Sequence, residues 1–263
     1  MAYVVAVLQV RMSSSRLPGK AFLPLLGEPM LCRQIERVRQ ARSLDELIVA
    51  TSSASSDDVI AAECSRVGVK CSRGSLDDVL DRIHDAVAPT TATTVVRLTG
   101  DCPLICPDII DAVVAFREAG GYDYASNALE RTFPDGLDVE AMTRDALEIS
   151  WAQARLPSER EHVTPYLWKH PELFRVGSYR CAVDYSAHRW TVDESVDYAL
   201  VSAIFGRLYP RNPRFRMADM LQLVQSEPAL QRLNAGIIRN AGYLKSLEKD
   251  TASAVAGSNG KSS

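Results

Sequence analysis

Three absences narrow this 263-residue chain before any motif is read. Its six cysteines (Cys32, Cys64, Cys71, Cys102, Cys106 and Cys181) form no CxxC pair, which excludes zinc-ribbon and thioredoxin-type chemistry and leaves reduced, mostly buried thiols as the expectation. No apolar run approaches the length of a membrane span, and "MAYVVAVLQVR" carries no basic residue ahead of its short apolar stretch. A cytoplasmic protein without a membrane partner is expected. Charge of one sign is lacking too: 30 Lys and Arg stand against 33 Asp and Glu, a net charge of -3, so the chain is no generic nucleic-acid binder. Any anion it recognises must be recognised by a local cluster.

What is present is an alternation of β-branched apolar runs with segments of helical period. "YVVAVLQV", "LIVATS", "VGVKC" and "TTVVRLTG" read as strands, and 29–42, 57–67, 76–88 and 107–119 as the helices between them. This is the pattern of βαβ units, and it predicts a Rossmann-like α/β fold with a mostly parallel sheet. Pro29 and Pro107 suit first helical positions. Beyond residue 121 the strands shorten: "YDYASN", "DGLDVEAM", "FRVGSYRCAV" and "HRWTV", with a helix over 144–156 and a helical pattern from 195 onward. Ser158 and Glu161 have capping-box spacing, and Pro165 interrupts the helix that they would start. One domain over 1–250 follows, in two halves of about 1–125 and about 126–250. The last segment, 251–263, lacks bulky apolar residues and is expected to be a disordered tail.

"QVRMSSSRLPGK" follows the first strand, where ligands bind in open α/β sheets, and it supplies Arg11, Ser14, Arg16 and Lys20. Three cations around a turn of hydroxyls and backbone N–H groups suit a polyphosphate. The loop is neither GxGxxG nor a Walker A motif, because the first glycine is missing and Ala21 stands where a metal-holding Ser or Thr would follow the lysine. A metal accompanying the phosphates must therefore be held from elsewhere. Asp101 in "VVRLTGDCPLI" and Asp193 in "HRWTVDESVDY" both follow strand-like runs, and two carboxylates with phosphate oxygens suit Mg²⁺. A turn role for Asp101 and a helix-capping role for Asp193 are the structural alternatives.

Acceptor contacts are expected on two segments. In "DGLDVEA" a strand places Leu137, Val139 and Ala141 on one face and Asp138 and Glu140 on the other, where paired carboxylates can meet sugar hydroxyls. In "SEREHVTPY" Arg160 suits an acceptor carboxylate, and His162 a proton carrier near neutrality. Solvated faces and intramolecular ion pairs explain the same residues without a ligand.

Taken together, "QVRMSSSRLPGKAFLPLLGEPML", "DDVLDR", "VRLTGDCPLI", "FPDGLDVE", "EREHVTPY" and "RWTVDESVD" resemble the SpsF-like family, related to the cytidylyltransferases that activate 3-deoxy-manno-octulosonic acid and acylneuraminates. The resemblance covers about residues 3 to 248. It implies a nucleotide-diphospho-sugar transferase (GT-A-like) fold and transfer of CMP from CTP to a sugar or sugar-acid hydroxyl. It further implies that Arg11, Ser14, Arg16 and Lys20 grip the triphosphate, that Asp101 and Asp193 hold Mg²⁺, that segment 72–86, with Arg73, Asp77, Asp78, Asp81 and Arg82, borders the nucleotide base, and that the protein is a homodimer, with a nucleotide-binding first half and an acceptor-binding and dimerisation second half; an N-capped helix with a solvated acidic first turn explains most of the 72–86 residues without a ligand. Cys102 after the Gly-Asp pair and Glu194 after the late aspartate depart from the octulosonate enzymes and leave the acceptor open. A GT-A-like glycosyltransferase and a non-catalytic nucleotide binder are the competing functions; the single acid of "TGD", in place of Asp-x-Asp, weighs against the first.

Overall fold

The computed structural model describes residues 2–237, 239 and 241–259. The first half contains β1 (Val4–Gln9), the two-residue strands β2 (Pro24–Leu25) and β3 (Glu28–Pro29), α1 (Met30–Val38), β4 (Glu46–Ser52), α2 (Asp58–Arg66), β5 (Lys70–Gly74), α3 (Val79–Val87), β6 (Thr94–Thr99) and α4 (Pro107–Gly120). The second half adds β7 (Tyr124–Ser126), β8 (Glu140–Thr143), α5 (Arg144–Gln153), α6 (Pro157–His162), α7 (Pro165–Lys169), β9 (Val176–Ser178), α8 (Ser195–Leu208), α9 (Met217–Ser226), α10 (Pro228–Gln231) and α11 (Ala241–Asn259). No helix among the described residues is long and apolar enough to cross a membrane.

Seven strands form one sheet in the order β5-β4-β1-β6-β8-β7-β9. β5, β4, β1 and β6 run parallel, β8 enters antiparallel to β6, and β7 and β9 complete the edge. The continuous apolar run of β1 reflects cover on both faces. Ala6 and Leu8 pack with Leu31, Ile35 and Val38 of α1 and with Val201 and Phe205 of α8, whereas Val5 and Val7 face Leu80, Ile83 and Val87 of α3. Each such side chain contributes roughly 1.5–3 kcal/mol by leaving water. The carboxyl ends of β1 and β6 are thereby fixed side by side, Gln9 pairing with Thr99.

The structure departs from the sequence reading in four places. "HRWTV" forms no strand; one bridge, Asp135 to Arg189, ties it to the "FPDG" turn, because its main-chain bonds go singly to separate partners, Trp190 N–H to the Asp135 carbonyl and Val192 N–H to the Asp101 carbonyl, instead of to one neighbouring strand. Pro29 pairs in β3 and only caps α1, which starts at Met30. The capping pair of α6 is Leu156 and Glu159, the Glu159 carboxylate accepting the N–H groups of Arg155 and Leu156 at 3.2 Å, while Ser158 lies buried inside the helix. Helix α11 continues through Asn259, over residues expected to be disordered from 251; residues 260–263 of that segment lie outside the described residues.

Candidate active site

A cleft of about 450 Å³ opens at the carboxyl ends of β1 and β6. One wall is the loop after β1, and its shape comes from backbone bonds: the Met12 carbonyl accepts the N–H groups of Ser14 at 2.9 Å and Gly19 at 3.0 Å. Asp57, fully buried at the end of β4, fixes the loop from behind. Its carboxylate accepts the N–H of Met12 at 2.9 Å, the N–H and hydroxyl of Ser52 at 3.1 and 2.5 Å, and the Thr51 hydroxyl at 3.0 Å. Burial raises the pKa of this acid, yet these donors outweigh it and hold Asp57 below the ordinary aspartate value.

Facing the loop, Asp101 leaves β6 through Gly100, where no larger residue fits: a Cβ there would stand 2.8 Å from the Cβ of Val10 and 2.9 Å from the Gln9 carbonyl. Asp193 is brought alongside by the chain itself. The N–H of Val192 and the hydroxyl of Thr191 both donate to the Asp101 carbonyl, at 2.8 and 3.2 Å. Lys20 then bridges the two acids, its Nζ lying 2.9 Å from Asp193 and 3.5 Å from Asp101 and donating to the Val192 carbonyl at 2.7 Å. Arg16 reaches the other oxygen of Asp193 at 2.9 Å. Although burial disfavours its charge, the carboxylates raise the Lys20 pKa; Lys20 likewise overcomes burial at Asp101 and lowers its pKa.

Helix capping does not occupy Asp193. That task falls to Asp197, whose Oδ2 accepts the N–H groups of Asp193 and Glu194 at 3.0 Å each. Arg189 organises this corner: it forks onto Asp197 at 3.0 Å and reaches Asp193 and Asp135 at 3.0 Å each. Arg239 extends the network to Asp135 at 3.1 Å and Asp138 at 3.0 Å. Gly136 permits the close approach, because with φ at +100° a Cβ would collide with the backbone of Trp190 and Thr191.

Of the residues expected to bind nucleotide, Arg11, Ser14, Arg16 and Lys20 line this cleft with Asp101 and Asp193, whereas Arg73 and Asp77 do not. Arg73 is committed to the Ser52 and Ala54 carbonyls at 3.0 and 2.9 Å and to Asp58 at 2.7 Å, and Asp77 is exposed. Arg82, also expected beside the base, does line the cleft, buried and donating to the Ser75 and Leu76 carbonyls, with burial and nearby Arg11 lowering its pKa to about 10; Asp78 and Asp81 do not line it.

The expected acceptor group is largely redirected. The expected strand starts only at Glu140, so Leu137, Asp138 and Val139 precede β8; Leu137, Val139 and Ala141 are buried while Asp138 and Glu140 are partly exposed, and neither acid lines the cleft. Asp138 pairs with Arg239 and burial pushes its pKa up to about 6; Glu140 is consumed by Arg97, the Tyr124 hydroxyl at 2.7 Å and the Thr164 hydroxyl at 2.6 Å. Arg160 turns away and forks onto Asp78 at 2.6 and 2.8 Å. His162 lines the cleft, but burial and the Arg97 charge lower its pKa to about 4, so it is neutral at pH 7 and no proton carrier near neutrality. The sequence reading missed Arg97 and the face of α11 that carries Lys245, Ser246 and Lys249, all of which line the cleft. Ser246 fastens α11 to α6 through His162 and Glu161, each at 2.9 Å. Two lysines in the five residues "KSLEK" would be a solvated helix face anywhere else, so no local signal marks them.

A parallel α/β sheet carrying a cationic loop opposite two aspartates at its strand ends defines a nucleotide-handling enzyme of the nucleotide-diphospho-sugar transferase fold. The chain belongs to the cytidylyltransferase family, whose model matches residues 5–204. It is 32% identical to the spore coat polysaccharide biosynthesis protein SpsF of Bacillus subtilis over 86% of this chain and 95% of that protein. A 3-deoxy-manno-octulosonate cytidylyltransferase of Anaeromyxobacter dehalogenans is 35% identical over 61% of this chain and 67% of its own. The solved structure of a cytidylyltransferase from Leptospira borgpetersenii superposes with a TM-score of 0.84 at 32% identity, over 91% of this chain and all of that one. The chain is therefore a CTP-dependent nucleotidyltransferase.

Proposed function

We propose that the protein transfers a cytidylyl group from CTP to a hydroxyl of a sugar or sugar-acid acceptor, releasing pyrophosphate, in the formation of a surface-glycan precursor. The convergence of Arg11, Arg16 and Lys20 with Asp101 and Asp193 in one cleft carries this reading. The acceptor oxygen attacks the α-phosphorus in line while the loop cations and backbone N–H groups hold the triphosphate and take up the charge of the leaving pyrophosphate. Asp101 and Asp193 form a hard-oxygen donor pair already bridged by one cation, Lys20, which fits a divalent ion such as Mg²⁺. Held there, such an ion would offset the charge developing on the phosphate oxygens. On the acceptor side the reading moves from Asp138, Glu140 and Arg160 to Arg97, Lys245 and Lys249, cations that favour an anionic acceptor. We also keep the homodimer: β9 is the last strand of the sheet, so its outer edge is open to a second copy, and a monomeric mass by light scattering would remove that proposal.

Pyrophosphate release tests the reaction. CTP, Mg²⁺ and a panel of sugar acids and neutral sugars should give pyrophosphate with at least one acid, and Asp101→Asn should abolish it. Calorimetric binding of CTP with no release from any acceptor would overturn the assignment.

A further inference from the structure

Among the described residues Lys20 has three oxygen contacts, two of them on the residues proposed to meet a metal, Asp193 at 2.9 Å and Asp101 at 3.5 Å, and the third on the Val192 carbonyl at 2.7 Å, next to Asp193 in the chain. Two carboxylates and a carbonyl are the donors that a hard cation takes. The ammonium is mostly buried, its side chain 13% exposed. The second oxygen of Asp193 is already held by Arg16 and Arg189, at 2.9 and 3.0 Å. A divalent ion that arrives alone and bridges the two acids must therefore displace Lys20 into a cleft whose lining includes Arg11, Arg16 and Arg82. Like charges make that move unfavourable. A triphosphate changes the balance, because it gives Lys20 new anionic partners as it leaves the aspartates.

We propose that Lys20 is a selectivity residue that reserves Asp101 and Asp193 for a metal ion arriving with a nucleoside triphosphate and denies them to the free ion. Lys20 thus has two successive positions: between the carboxylates in the free protein, and on the phosphates in the loaded one. This role rests on the nucleotidyl-transfer reading of the cleft, and CTP binding, titrated separately by calorimetry, distinguishes failure of the one from failure of the other.

The test is Mn²⁺ binding without nucleotide, read from the electron-spin resonance of the free ion. Lys20→Met keeps an unbranched side chain one atom shorter and removes its charge; it should bind Mn²⁺ about tenfold tighter than the unaltered protein or more. Adding Asp101→Asn to that variant should cancel the gain. Equal Mn²⁺ affinity with and without the lysine, or a gain that survives Asp101→Asn, would overturn the proposal. The unaltered protein supplies a second measurement. Carbodiimide should join Lys20 to Asp193 in a zero-length crosslink found by peptide mass spectrometry; millimolar Mg²⁺ should leave its yield unchanged, and Mg²⁺ with CTP should suppress it. Suppression by Mg²⁺ alone, or persistence with CTP bound, would refute the two positions of Lys20.

Discussion

Arg189→Ala removes the side chain on which the late-aspartate corner depends. Its guanidinium, 9% exposed, serves Asp197, Asp193 and Asp135, but the three acids do not lose equally. Asp193 keeps Arg16 and Lys20, and Asp135 keeps Arg239, whereas Asp197 is wholly buried and keeps, among the described residues, only the Asn234 amide and two backbone N–H groups. The cost is that of one buried carboxylate left without its counter-ion, about 3–5 kcal/mol. At a urea slope of about 2–3 kcal/mol/M this lowers the unfolding midpoint by about 1–2 M. Arg189→Lys should recover only part of the loss, since an ammonium cannot fork onto one carboxylate while reaching two more. Combining Arg189→Ala with Asp197→Asn should cost less than the two single changes added together, by more than about 1 kcal/mol. The sign in acid also follows. Burial raises the Asp197 pKa, but Arg189 leads the groups that hold it below the ordinary value, so its contribution is present above that value and fades as pH falls below it. A destabilisation by Arg189→Ala under about 1 kcal/mol, with additive double-variant behaviour, would show that the corner is solvated and the reasoning wrong.

Asp57→Asn exchanges an acceptor oxygen for a donor behind the triphosphate loop; it should cost about 1–3 kcal/mol and raise KM for CTP severalfold with a smaller fall in kcat, and an unchanged KM would show that the loop holds its shape without Asp57. His162→Gln should flatten the loss of stability between pH 6.5 and 4: the buried ring binds its proton more weakly folded than unfolded, so protonation in that window favours unfolding by on the order of 2 kcal/mol after allowance for partial exposure. Asp138, raised to about 6, titrates in the opposite sense over much of that range, so the comparison must be the difference between variant and unaltered protein in urea titrations. Arg160→Ala should leave the KM values for CTP and acceptor within about twofold, because its guanidinium faces Asp78 and not the cleft; a tenfold rise in acceptor KM would return it to the site.

The nucleotide half was readable because each of its signals is local. The apolar runs of β1, β4 and β6 owe nothing to distant partners, and the loop cations sit within ten residues of one another at the one strand end where the topology needs them. The acceptor half was read less well because there residue type and residue role part company. Arg160 and Asp78 lie 82 positions apart, and Glu140 finds Arg97 across two antiparallel strands, so charges that look free in sequence are spent on each other. His162 shows the same effect in its titration: an ordinary histidine by sequence, it is made a poor base first by burial and then by an arginine 65 positions away. "HRWTV" misled for another reason. Its β-branched and aromatic residues are buried, as in a strand, but by Gly136 and the Asp101 carbonyl instead of a ladder.

A chain of net charge -3 has, in this cleft, seven cationic side chains (Arg11, Arg16, Lys20, Arg82, Arg97, Lys245 and Lys249) against three carboxylates, Asp101, Glu161 and Asp193. The field of the whole molecule therefore repels what the cleft attracts. That division has a kinetic use. A triphosphate meets at long range the weak repulsion of the net charge, while the low-dielectric walls of the cleft focus the local excess of positive charge on it, and the same excess has to be relaxed before pyrophosphate can leave. Lys20 is placed to do both. Between Asp101 and Asp193 it lowers the positive charge presented to solvent in the free protein, and on the triphosphate it adds to the grip at the moment the anion is bound. The acids of the site are thus more than metal ligands in waiting: by holding the lysine, they set how cationic the cleft is before its substrate arrives.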